Sequence, residues 1–87
     1  MDMKLWNFLE RIQGIENKVV YIENYTYEQD QADGMEYHTI EINVEDADSE
    51  TYEASYEVET NSKEQLEKQI RFMKSEYFDD LEIIENW

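Results

Sequence analysis

The chain contains no cysteine and no proline, and only two of its 87 residues are glycine. Without cysteine there is neither a disulfide framework nor a thiolate zinc site to hold a small fold together. The scarcity of proline and glycine argues against a flexible linker or a low-complexity tail. Long apolar runs are missing as well. The longest runs from Val19 to Ile22, whereas a membrane-spanning helix needs about 20 residues. The first residues carry no basic segment followed by an apolar stretch, so no secretory leader is expected. Positive charge is the scarcest commodity: 7 Lys and Arg stand against 23 Asp and Glu, a net charge of −16 at pH 7. Such a surface repels nucleic acid and anionic lipid alike. The expectation is a soluble, cytoplasmic protein that binds neither directly.

What is present is enough to fold. Hydrophobic residues make up 40% of the chain and aromatic ones 14%, too rich for a disordered acidic tract. The length allows one domain, residues 1–87, burying roughly 60–65% of its unfolded surface. Charge is unevenly placed. The basic residues are Lys4, Arg11, Lys18, Lys63, Lys68, Arg71 and Lys74, so the 44 residues from Val19 to Ser62 hold none against 13 acids. The middle of the chain is therefore a field of uncompensated negative charge whose self-repulsion opposes compaction.

Periodicity gives the element order. Leu5, Phe8, Leu9 and Ile12 form a helical stripe over residues 3–13, with Gly14 placed as its cap. Lys18 to Glu28 is β-branched and aromatic and predicts a strand, on which either Val20 and Ile22 or Val19 and Tyr21 face inward. Gln29 to Gly34 ends in Asp33-Gly34, a strong turn signal. Met35 to Glu45 alternates, with Ile40, Ile42 and Val44 opposed to Glu41, Asn43 and Glu45. After the polar turn Asp46 to Glu50, Thr51 to Thr60 alternates again, with Tyr52, Ala54, Tyr56 and Val58 opposed to Glu53, Ser55, Glu57 and Glu59. Ser62 and Gln65 fit a capping box, followed by Leu66, Ile70, Met73 and Tyr77 at helical spacing. Phe78 to Trp87 fits either a further helical turn or a short strand through Leu81, Ile83 and Ile84. The expected class is α+β: a three-stranded antiparallel meander with helices on one face, in the order α-β-β-β-α plus a short tail element.

That arrangement leaves the acidic face of the meander uncovered. Like charges opposite one another across strands destabilise a sheet, and ordinary solubility needs a net charge of only about 2–8 in a domain of this size. A fold of this length has an expected diameter of roughly 30 Å, over which duplex DNA carries about 18 charges. The net 16 of this chain is comparable. Its surface suits a partner that otherwise holds nucleic acid through Lys and Arg.

In size, acidity, lack of cysteine and helix–three strands–helix order, the whole chain resembles small phage-encoded inhibitors that imitate nucleic acid. Anti-CRISPR and anti-restriction proteins are of that kind. The resemblance implies no catalysis or cofactor. It implies a basic nucleic-acid-binding partner in the host cytoplasm, such as a restriction nuclease or RNA-guided CRISPR effector.

Competing chemistry is poorly supported. Asp46, Asp48 and Glu50 with Glu57 imitate a calcium loop, but Thr51 stands where that loop needs glycine, and a strand follows where it needs a helix. Carboxylate pairs of glycosidase type are inevitable among so many acids and carry no information. His38 is the only histidine and is expected to pack at a strand end, so no metal site and no enzyme is expected. Tyrosines favour interfaces, because they join a large apolar area to a polar tip. Tyr25, Tyr27 and Tyr37 are candidates for that role, whereas Tyr52, Tyr56, Tyr77 and Trp6 are expected in the core. Tyr21, Tyr25 and Tyr27 should share one strand face with Glu23, and Trp87 either packs or forms a dimer contact. The electrostatic surface expected to bind the partner comprises Glu36, Glu41, Glu45, Asp46, Asp48, Glu50, Glu53, Glu57 and Glu59, with Asp30 and Asp33 at the other turn. The protein would act as monomer or homodimer. The alternative is an acidic adaptor or antitoxin-like module that binds a basic protein without imitating DNA.

Overall fold

A computed structural model describes residues 2–87. Helix α1 (Met3–Ile12) begins at Asp2, whose carboxylate accepts from the amides of Lys4 and Leu5. It buries Phe8 and Ile12, two residues of the stripe read from the sequence. Gly14 follows the cap residue Gln13 without entering the left-handed region. Strands β1 (Lys18–Gln29), β2 (Glu36–Asp46) and β3 (Thr51–Thr60) form the expected antiparallel meander. Helix α2 (Lys63–Glu76) starts on the Ser62 hydroxyl, which accepts from the Gln65 amide at 3.1 Å.

The sheet has four strands rather than three. The tail forms β4 (Glu82–Asn86), which pairs parallel to β1, giving the order β3-β2-β1-β4. Strands β3 and β4 thus run parallel at opposite edges, and parallel strands need a long connection. The 14 residues of α2 supply about 21 Å, which exceeds the roughly 14 Å spanned by three strand spacings. The fold is therefore α+β with a mixed sheet.

Both helices pack on one side. Phe8, Ile12, Leu66, Ile70, Met73 and Phe78 close over Val20, Ile22, Ile40, Ile42, Val44, Ala54 and Val58 in a single apolar cluster. This settles the first strand: Val20 and Ile22 are fully buried against the helices. Trp6 does not join the core, because it lies on the outer side of α1 with 49% of its surface exposed. Trp87 packs on Tyr25 with ring centroids 6.2 Å apart. No helix of the described residues is long and apolar enough to cross a membrane.

Two bulges interrupt the alternation. On β1, Asn24 and Tyr25 together oppose Ile40, with Asn24 in the left-handed region at φ 60°. On β3, Glu53 is the extra residue between Ala54, which pairs with Val44, and Tyr52, which pairs with Glu45. Each inserted residue sends the side chains beyond it to the opposite face.

Candidate protein-interaction face

The side of the sheet away from the helices is uncovered, and the strand register sets its pattern in rows. One row runs Glu82, Val19, Glu45, Tyr52, and the next Ile84, Tyr21, Asn43, Ser55. A third runs Asn86, Glu23, Glu41, Glu57, so three glutamates stand directly opposite one another on adjacent strands. Past the β1 bulge come Thr26, Thr39 and Glu59, and then Glu28 beside Tyr37. Strands lie about 4.8 Å apart and alternate residues about 6.8 Å. This face is therefore a lattice of carboxylates at spacings where repulsion is felt.

Neutral donors, not cations, hold the lattice. Asn43, 5% exposed, donates its amide to Glu23 at 2.9 Å and lies 3.5 Å from Glu41, while its carbonyl accepts from the Ser55 hydroxyl at 2.6 Å. The left-handed turn at Asn24 brings a second amide to Glu41 at 2.8 Å. Tyr21 donates to Glu45 and Tyr52 to Glu23, each at 2.9 Å. These bonds push both phenols above the ordinary tyrosine pKa, with partial burial as the next cause. Among the described residues the ion pairs of Lys and Arg are Lys68–Glu64 and Lys74–Glu85, and neither uses a carboxylate of this face. Neutral donors satisfy lone pairs without cancelling charge, so the face keeps its field.

The residues expected in the partner surface divide into groups. Glu41, Glu45, Glu57, Glu59 and Tyr37 lie on the open face. Tyr37 is half-buried there, and its phenol is pushed up chiefly by the charge of Asp33. Asp30 and Asp33 sit in the β1–β2 turn, their side chains accepting from the amides of Ala32 and Met35, while Gly34 takes φ 74°. Asp46 and Asp48 do similar work in the β2–β3 turn: Asp46 accepts from the Asp48 amide and Asp48 from Asn17. Glu50 is exposed at the end of that turn with φ 56°. The β3 bulge turns Glu53 to the hydroxyls of Thr51 and Ser49, out of line with Glu57 and Glu59.

Three expectations are corrected. Tyr25 and Tyr27 lie on the helix side, because the Asn24 bulge separates them from Tyr21 and Glu23. Both flank the buried His38: Tyr25 meets its Nδ1 at 2.8 Å, and the Tyr27 ring lies 4.9 Å from it. Glu36 belongs to that cluster, 3.4 Å from His38 Nε2. Tyr52 is not in the core but on the open face, half exposed, for the same kind of reason at the β3 bulge.

Sequence reasoning placed Asn43 on this face without a role and missed Glu23, Asn24 and Tyr21 as parts of it. Asn43 left one signal, being the lone amide between two acids on an alternating strand. The molecule is also longer than expected, 45 × 27 × 20 Å with a radius of gyration of 13.9 Å, since the 12 residues of β1 alone span about 40 Å. Over 45 Å a duplex would carry about 26 charges, so the mean linear charge of the chain is roughly 60% of that of DNA. No protein-family model, curated protein or solved structure matches the chain.

Proposed function

We propose that the protein is a non-enzymatic inhibitor that sets the open face of its sheet into the basic nucleic-acid channel of a defence nuclease, of the restriction or RNA-guided CRISPR type. The observation that carries this reading is the row Glu23–Glu41–Glu57, directly opposed across three strands, with Glu23 and Glu41 held by two amides and a phenol rather than by cations. A sheet bears such repulsion at a cost to its own stability, which a partner rich in Lys and Arg would relieve on binding. Opposite charge would speed encounter, and a few packed contacts would set specificity.

The test is competition. The protein should bind the free nuclease and fail to bind the same nuclease already loaded with DNA, as read by calorimetry. Equal affinity for both forms would defeat the mimicry and assign the face to a basic protein partner unrelated to nucleic acid.

A further inference from the structure

The paired rings of the open face lie at one end of it. There Tyr21 and Tyr52 lie side by side, ring centroids 5.5 Å apart and planes at 54°. Tyr52 is 51% exposed, and Ile84, the neighbour of Tyr21 on β4, is 38% exposed. Tyr37, also on this face, is half-buried and not paired with another ring. The hydroxyls of the pair are spent on Glu45 and Glu23. What the pair offers a partner is therefore ring surface, fixed in place by those two bonds and flanked by two half-buried carboxylates. Glu45 uses Oε2 and Glu23 uses Oε1 in the internal network, and the second oxygen of each accepts nothing from the described residues.

We infer that the Tyr21–Tyr52 pair with Glu23 and Glu45 is the seat for one arginine side chain of the partner. A guanidinium is planar and weakly hydrated, stacks on aromatic rings and donates to carboxylates at the same time. A lysine ammonium is a compact, strongly hydrated point charge and gains less from the rings. Rings already locked by hydrogen bonds lose little freedom on binding, the preorganisation that marks an interface anchor. The remaining carboxylates, from Glu41 to Glu59, then act as a less selective electrostatic rim. This deepens the inhibitor proposal and rests on the open face being the partner surface, while naming the group that this face selects.

The seat is tested without the nuclease. A nine-residue arginine peptide and a lysine peptide of equal length are titrated into the protein, with affinity read by calorimetry and position by NMR of the tyrosine rings. The arginine peptide should bind about two- to fivefold tighter, the range of an exposed cation–π contact, and should move the Tyr21 and Tyr52 ring signals most. Tyr52→Phe, which keeps the ring, should retain the preference, and Tyr52→Leu should abolish it. Equal affinities for the two peptides would overturn the inference, as would ring signals that stay still while Glu57 and Glu59 shift. Because the ring signals are read in the unaltered protein, a variant that fails to fold does not decide the matter. Failure here leaves the nuclease competition standing, and failure of that competition leaves an arginine preference measurable.

Discussion

Glu41 faces Glu23 on one side and Glu57 on the other, so Glu41→Gln removes two cross-strand repulsions with one change of shape-matched side chain. Each like-charge pair opposes the fold by a few tenths of a kcal/mol. The amide oxygen of glutamine still accepts from Asn24, which holds Glu41 at 2.8 Å. The longer Asn43 contact at 3.5 Å is expendable, because the same amide holds Glu23 at 2.9 Å. A bond to a neutral acceptor is weaker than one to a carboxylate, so the net gain should be about 0.5 kcal/mol. In a domain of this size that raises Tm by roughly 2–4 °C. The gain should be visible at 0.01 M salt, where the screening length is about 30 Å, and vanish at 1 M, where it is about 3 Å and shorter than one strand spacing. Thermal melts by circular dichroism at both salts read this directly. Glu67→Gln is the control: it removes the same charge from an exposed site on α2, outside the sheet and its ladder. A Glu41→Gln protein that melts lower at 0.01 M salt would refute the ladder argument. So would a gain that persists at 1 M or is matched by the control.

Two further predictions concern the groups that hold the structure around this face. Asn43→Ala should destabilise by about 1–3 kcal/mol, since it removes two bonds of a buried amide, to Glu23 and from the Ser55 hydroxyl, and leaves Glu23 only the Tyr52 hydroxyl; a variant as stable as the parent in urea would show that the carboxylates need no amide. The second uses the bond from the Tyr56 hydroxyl to Asp2 at 2.7 Å. Burial first, and that bond second, push the Tyr56 pKa up to about 12 from the ordinary 10.0, and the same bond is the main cause that lowers Asp2 below its ordinary 3.8. A raised phenol stabilises the fold fully below about pH 10 and loses that contribution as pH climbs toward 12. A lowered carboxylate stabilises it above about pH 4 and loses that as pH falls further. Tyr56→Phe should therefore flatten the pH dependence of unfolding at both ends, and an acid limb identical to the parent's would show that the bond to Asp2 is not formed in solution.

The local chemistry of the chain was legible without the structure. Asp33-Gly34 needed only its own backbone preferences to make a turn, and Ser62 needed only an amide three residues on to start a helix. Ile40, Ile42 and Val44 chose their side because a period of two admits no other partner for an apolar row. These are interactions within a few residues, and a few residues suffice to encode them.

The tail and the two bulges were not of that kind. Residues 82–86 satisfy either a helical or an extended pattern, and they became a strand because β1 offered an unpaired edge that α2 was long enough to reach. Asn24 and Glu53 look ordinary in sequence, yet each is one residue too many against its neighbour. Register is decided between strands far apart in the chain, and a slip of one reverses every side chain beyond it. That reversal placed Tyr52 on the open face and removed Tyr25 and Tyr27 from it. The sequence by itself determined that this protein would carry an uncompensated acidic sheet, because alternation and a missing set of cations are properties of the chain alone. Which acids stand in line, and which rings stand among them, only the pairing of the strands could decide.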